Sequence, residues 1–425
     1  MRTKVDNSAG NSLQLTALLG DFRLLVILFV AFRLLLLIVY QPILLDGGER
    51  GVAAGGDFQT YFQIASLSDT LGTPFQDWWS EFPPVWSFLS VAIYQVQGAN
   101  INYTGFAMFL GLLMLLFEVG ILTLVRKIGT HLHGANTGMS LAWIYAILAA
   151  PIVFAFWTFE PIVVFCLLLG LWWLLTKQET RSAVAIAVGA LTKFTPALIL
   201  GAVWRWQWRE KSRAARYTGI VIGLFVLAYV PLLVQDTEMT LPSLTAQFNK
   251  SSYQSVWALI DGNYRTGNFG PLNDRADPSL ANQLQGNPAM IAGWLRLGAA
   301  AAGGLFVFLR TRRFDDRGLM AFVGITLLIF FLQAQGWSPQ WLTQIIPLVL
   351  LTFPTRNGVL VIVMLSLVTF AEYPLLFIRT GDTGGEIAGV LRTPFIILVL
   401  TRTGILIGLC VAFYQKLRQE PVPSS

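Results

Sequence analysis

Stretches of about twenty apolar residues recur along nearly the whole chain, and this limits what it can fold into. Candidate spans lie at about 22–40, 104–126, 138–156, 160–176, 218–235, 291–310, 318–336, 340–353, 358–376 and 394–414. Inside lipid every backbone polar group must find its partner within the protein, which leaves helices or closed barrels. Runs of this length fit helices, because ~20 residues at ~1.5 Å each cross a ~30 Å hydrocarbon core. Composition agrees: 55% of the 425 residues are hydrophobic and 12% are charged, against ~25% charge in soluble domains. The expected class is an all-α polytopic membrane protein with roughly 11–12 membrane helices. It divides into a cytoplasmic N-terminus at 1–21, one transmembrane domain over 22–414 with outer loops at 41–103 and 236–290, and a cytoplasmic tail at 415–425.

Two segments are ambiguous. Residues 84–97 give only ~21 Å of helix, short for a bilayer core. Residues 182–204 are long enough, but "LTKFTPALIL" places Lys193 and Pro196 in their middle. Lys/Arg-rich loops favour the cytoplasmic side. The basic connections "VRKIGTHLHG", "TKQETR", "WRWQWREKSRAAR" and "RTRRFDDRG" and the tail "YQKLRQE" all fall there on two conditions. Residues 84–97 must lie in the outer interface, and 182–204 must be a hairpin of two short helices with Lys193 near its outer tip. Making both segments ordinary spans would export two of the basic connections. The net charge of +6 then reports orientation, and no nucleic-acid partner is expected.

The outer face collects the unusual residues. The first outer loop carries Asp57, Asp69, Asp77 and Glu81 among aromatic rings. Phe58, Tyr61, Phe62 and Ala65 have helical spacing, so 57–72 should be an interfacial amphipathic helix with Asp57 at its N-terminal end. A plain helix cap is the alternative role for Asp57. Asp69 and Asp77 either join a metal site or face water. Glu160 follows at the next outer turn. The loop 236–290 adds Tyr253, Trp257, Asp261, Asn263, Tyr264 and Arg265, a mix suited to sugar stacking and phosphate contact. Within the spans, Arg33 and Glu118 lie at similar depth and should pair, since an intramembrane charge needs a partner. Cys166 and Cys410 read as small buried residues. The sequence contains no Walker loop, dinucleotide fingerprint or zinc motif.

An acidic residue after the first span, then "SEFPP", "LTKFTPALIL" and "GWSPQWL", together resemble the GT-C membrane glycosyltransferases. Most similar are the polyprenyl-phosphomannose-dependent mannosyltransferases of glycosyltransferase family 87 and the protein mannosyltransferase and aminoarabinose transferase group. The resemblance implies a GT-C fold with interfacial helices in the first outer loop and a site on the outer face, here of a bacterial plasma membrane. It implies Asp57 as catalytic base and Glu81 as ligand of a divalent cation, magnesium or manganese. Substrate contacts would come from Lys193, at the lipid phosphate, with Glu160, Tyr253, Arg265, Trp337 and Gln340. The partners would be a polyprenyl-phosphate sugar donor and a lipid, glycan or protein acceptor.

The chemistry asks for these residue types. A sugar on a lipid phosphate is already activated, so no nucleotide is required. An acceptor hydroxyl must lose its proton as it attacks, and a positioned carboxylate can take it. The departing phosphate needs a cation beside it. A transporter or lipid-linked-glycan flippase is the alternative class. Transporters show inverted repeats and paired broken helices near the midplane, whereas this sequence shows one broken segment and no repeat. A ligase moving a larger glycan from its lipid carrier would carry the same sequence features.

Overall fold

The computed structural model describes residues 15–40, 56–267, 270–283, 286–376 and 385–421. Those residues form helices and their connections, with isolated bridges and no strand among them. The expectations for 1–14, 41–55 and 422–425 lie outside the described residues. Four helices are long and apolar enough to cross a membrane: Tyr103–His133, Lys211–Gln235, Asp316–Gln333 and Gly389–Arg418. Glu160–Leu175 and Arg356–Phe370 are shorter apolar helices. The chain is an all-α, multi-pass membrane protein.

The two ambiguous segments take the forms that length and charge indicated. Residues 179–206 break at Lys193, between the helices Glu179–Thr192 and Ile199–Trp206. Lys193 is extended (φ −158°, ψ 138°), and a 3₁₀ turn at Thr195–Leu198 follows. Pro196 cannot continue a helical ladder, because it lacks an N–H. Gly189 makes room for its ring: a Cβ there would lie 3.0 Å from Pro196 Cγ. Further upstream, Pro84–Gln95 is a 12-residue helix of only ~18 Å. It packs on Gly56–Thr70, the expected interfacial helix. Asp69 fastens the two, accepting hydrogen bonds from Tyr94 Oη and Gln95 Nε2, both at 2.7 Å. Those bonds hold the exposed Asp69 carboxyl below its ordinary pKa. Asp77 instead accepts from the Thr73 N–H at 2.6 Å and closes a turn.

Two boundaries differ from expectation. The span at 138–156 is broken at Leu148 into Ala135–Ile147 and Ala149–Phe154. Pro151 explains the break, since its ring would meet the Ile147 carbonyl in a continuous helix. The basic stretch after residue 126 continues the helix Tyr103–His133 instead of forming a loop. There His131 bonds Asp316 at 2.7 Å and His133 bonds the Leu351 carbonyl at 2.7 Å.

Arg33 and Glu118 do meet. Their side chains approach to 3.8 Å, and both are buried. Tyr145 donates to both Glu118 oxygens (3.1 and 3.2 Å), and the guanidinium covers the Phe29 ring at 3.4 Å.

Candidate active site

A cavity of about 580 Å³ opens where residues 57–83, the turn at Thr158–Glu160, the Lys193 break, the segments 247–254 and 293–297 and the turn at 336–341 come together. Asp57, Glu81, Glu160, Lys193, Tyr253 and Gln340, all singled out from sequence, line it. Trp337 and Arg265 do not. Trp337 is buried behind the wall, packed between Phe331 and Trp341 (ring centroids 6.1 and 5.7 Å away) with Arg402 over its face at 4.5 Å. Arg265 lines a smaller neighbouring pocket with Trp79 and Thr266.

Asp57 sits in the first turn of Gly56–Thr70, and its N–H bonds the Trp157 carbonyl at 3.0 Å. That bond ties it to the turn bearing Glu160. Tyr61, one turn on, donates to Asp57 Oδ2 at 3.1 Å, and Gln340 Nε2 donates to the same oxygen at 3.2 Å. Beneath it Tyr61, Trp86 and Phe159 form an aromatic floor, with Trp86 stacked on Phe159 at 4.3 Å. Burial raises the Asp57 pKa to about 6, against the opposing Tyr61 hydrogen bond and the nearby Lys193 and Lys250 charges. A carboxyl group with that pKa can exchange a proton near neutral pH.

The other two carboxylates have protein cations of their own. Glu160 pairs with Lys193 and accepts from Gln344 Nε2 at 2.9 Å. Lys193 also faces the Phe159 and Trp341 rings at 5.7 and 5.6 Å. Glu81 pairs with Lys250 and with Arg275 at 2.7 Å, and accepts from Gln247 at 3.1 Å. Gln340 and Gln344 therefore reach Asp57 and Glu160 from successive turns of one segment.

This arrangement bears on the metal expectation at Glu81. Both of its oxygens are matched by cationic or amide N–H donors, so the residues present do not fit a divalent ion there. Among the described residues no group of three or more His, Cys, Asp or Glu gathers. Lys250 and Arg275, neither singled out in the sequence, supply the positive charge. Burial and the neighbouring Arg275 lower the Lys250 pKa to about 7, with Asp57 opposing, and burial lowers Arg275 to about 10.

Tyr253 and Gln254 form another part of the wall. Their backbone bonds the turn after Asp316–Gln333: Tyr253 N–H to Gln335 O at 3.3 Å, and Trp337 N–H to Tyr253 O at 3.1 Å. The Tyr253 ring fills a slot between Gly267 and Gly336, where an added Cβ would lie 2.8 and 2.2 Å from it. Gln254 takes φ 48°, uncommon away from glycine. It is held from behind by Arg402, which bonds its carbonyl and pairs with buried Glu372. No periodicity in the sequence marks this latch, because its members lie far apart in the chain.

No protein-family model matches this sequence, and no curated protein does. Among solved structures the chain is similar to ArnT from Cupriavidus metallidurans in the apo state, with 14% identity, TM-score 0.48, and 93% of this chain and 77% of that one covered. The same protein bound to undecaprenyl phosphate aligns at 14% identity and TM-score 0.44, covering 94% and 78%. The apo oligosaccharyltransferase of Archaeoglobus fulgidus aligns at 12% identity and TM-score 0.41 over 94% of this chain, which spans 56% of its length. None of the three stands close enough to lend this chain an activity.

Proposed function

We propose that the chain is a membrane glycosyltransferase. It would move one sugar of hexose or pentose size, with mannose the first candidate, from a polyprenyl-phosphate donor to an acceptor hydroxyl on the outer face of the membrane. The observation that carries this reading is Asp57. It is a carboxylate with a raised pKa, positioned by two neutral donors in a cavity whose other carboxylates are already matched by lysines. The sequence motifs that resemble the lipid-phosphate-dependent enzymes support it, since they meet at this cavity.

In the reaction, the acceptor oxygen attacks the anomeric carbon. A C–O bond to the acceptor forms as the C–O bond to the donor phosphate breaks. Asp57 takes the acceptor proton, and the leaving group departs as a polyprenyl phosphate monoester. Lys193 and Lys250 stand by the cavity as positive charge for the growing negative charge on the phosphate. The gathering of titratable groups in one cavity, and not in a file through the bilayer, favours transfer over transport.

Asp57→Asn is the test. Asn keeps the size and caps a helix about as well as Asp, but accepts no proton. Turnover of a labelled polyprenyl-phosphate sugar should fall by ~10²-fold or more, with donor binding retained. Near-normal turnover at saturating donor would end the reading.

A further inference from the structure

Arg296 lies in the first turn of the helix Gly293–Arg310 and lines the cavity. It is 5% exposed. Its Nη2 reaches Gln335 Oε1 at 3.4 Å, and its guanidinium lies 5.3 Å from the Trp257 ring. Among the described residues neither Nε nor Nη1 has a hydrogen-bond partner. The other buried arginines among the described residues each have a carboxylate: Arg33 has Glu118, Arg275 has Glu81, Arg313 has Asp315 and Arg402 has Glu372. The cavity amines are likewise matched, Lys193 by Glu160 and Lys250 by Glu81. Arg296 is the exception among the described residues: Asp261 attracts it without reaching ion-pair distance, and a buried cation with no paired counter-charge is unfavourable in an isolated fold. A bound anion would remove the penalty.

The mouth beside it narrows the choice of anion. Phe248, Trp294 and Leu297 also line the cavity and are 63%, 72% and 52% exposed. Arg296 therefore lines the cavity beside an apolar rim. An inorganic anion would use the guanidinium and leave the rim bare, whereas a phosphate carrying a hydrocarbon chain would use both.

We propose that Arg296 binds the phosphate of the lipid donor, with the donor's hydrocarbon chain leaving over Phe248, Trp294 and Leu297. The inference rests on the donor reading above and moves the principal phosphate contact from Lys193 to Arg296. Lys193 stays with Glu160. A guanidinium offers directed N–H donors that suit phosphate oxygens. As the C–O bond to the donor phosphate breaks, the leaving group gains one negative charge, and a fixed cation there favours that change.

The test measures binding of undecaprenyl phosphate to the purified full chain in zwitterionic nanodiscs, by tryptophan fluorescence. Undecaprenol and inorganic phosphate serve as separate probes, and Arg296→Gln and Lys193→Met as variants. Arg296→Gln should weaken undecaprenyl phosphate by roughly tenfold or more and leave any undecaprenol binding unchanged. Its melting temperature without lipid should equal or exceed that of the unaltered protein, because the unmatched charge is gone. A structural role would instead lower the melting temperature, and that result would overturn the proposal. Unchanged binding in Arg296→Gln, with loss in Lys193→Met, would overturn it while sparing the donor reading. Inorganic phosphate binding as tightly as the lipid would overturn the lipid assignment. Failure of the unaltered chain to bind undecaprenyl phosphate would overturn the donor reading and this proposal together.

Discussion

Glu118 and Asp57 are carboxylates of one chain in opposite company. Glu118 lies among the membrane helices with a guanidinium at 3.8 Å and a tyrosine hydroxyl on both oxygens. Asp57 lies at a cavity wall and receives a hydroxyl and an amide on one oxygen, with no cation at ion-pair distance among the described residues. In the first, the ion pair serves the packing. In the second, the charge is held in place but left unneutralised, which suits a group that must take up a proton. Exposure alone would not sort the two, whereas the partners each carboxylate has been given do.

Breaking the first arrangement should have the larger effect. Removing one member of a buried pair strands the other and costs ~3–5 kcal/mol. Arg33→Leu and Glu118→Leu should each lower the yield of folded protein and its melting temperature, and the double variant should recover part of the loss. Strictly additive losses would show that the pair is energetically idle.

Asp57 should behave in the reverse sense. Its pKa in the fold is raised to about 6 from 3.8, so between those values the folded protein binds more protons than the unfolded chain. Stability then falls as pH rises through this window, and above it the charged form is a liability. Asp57→Asn should therefore be more stable than the parent at pH 7, by about 1–3 kcal/mol, with the gain vanishing toward pH 4. In activity, a base must be deprotonated, so kcat/KM of the unaltered enzyme should rise with pH through about 6 and level off above it. A profile flat from pH 5 to 8 would separate Asp57 from the chemistry.

The glutamines sharpen the contrast with a smaller effect. Gln340→Leu removes one donor from the Asp57 carboxylate, which favours the protonated form. The acidic limb of the pH profile should move upward by several tenths of a pH unit. Gln344→Leu touches Glu160 instead and should leave that limb in place. Equal shifts in both variants would mean that the Gln340 contact does not set the limb.

Much of this could be read from sequence where the signal was local. The long apolar helices, the short helices Gly56–Thr70 and Pro84–Gln95 and the break at Lys193 follow from apolar length, spacing and Pro196. Asp57 and Glu160 stood out as carboxylates beside apolar runs, and Arg33 with Glu118 as charges at equal depth. Glu81 was found but its protein partners were not, because Lys250 and Arg275 are far away in sequence and polar loops offer no periodicity. Trp337 belongs to a motif that faces the cavity through Gln340, while its own ring turns inward to Phe331 and Arg402. Which way a turn residue points is decided by the fold, not by its neighbours in the chain.

The slot that holds Tyr253 bears on how this site could change over generations. The ring is fixed because nothing projects from positions 267 and 336, where any Cβ would come within 2.8 and 2.2 Å of it. The backbone bonds between 253 and 335–337 hold the chain in place, so a displaced ring would move into the cavities it lines. Even alanine, the smallest possible gain at either position, would therefore narrow the chamber. Descendants of this chain could refit their pocket to a bulkier sugar or acceptor by exchanging rim residues such as Phe248 or Leu297. They could hardly do it through these two glycines, where drift has almost no room to begin.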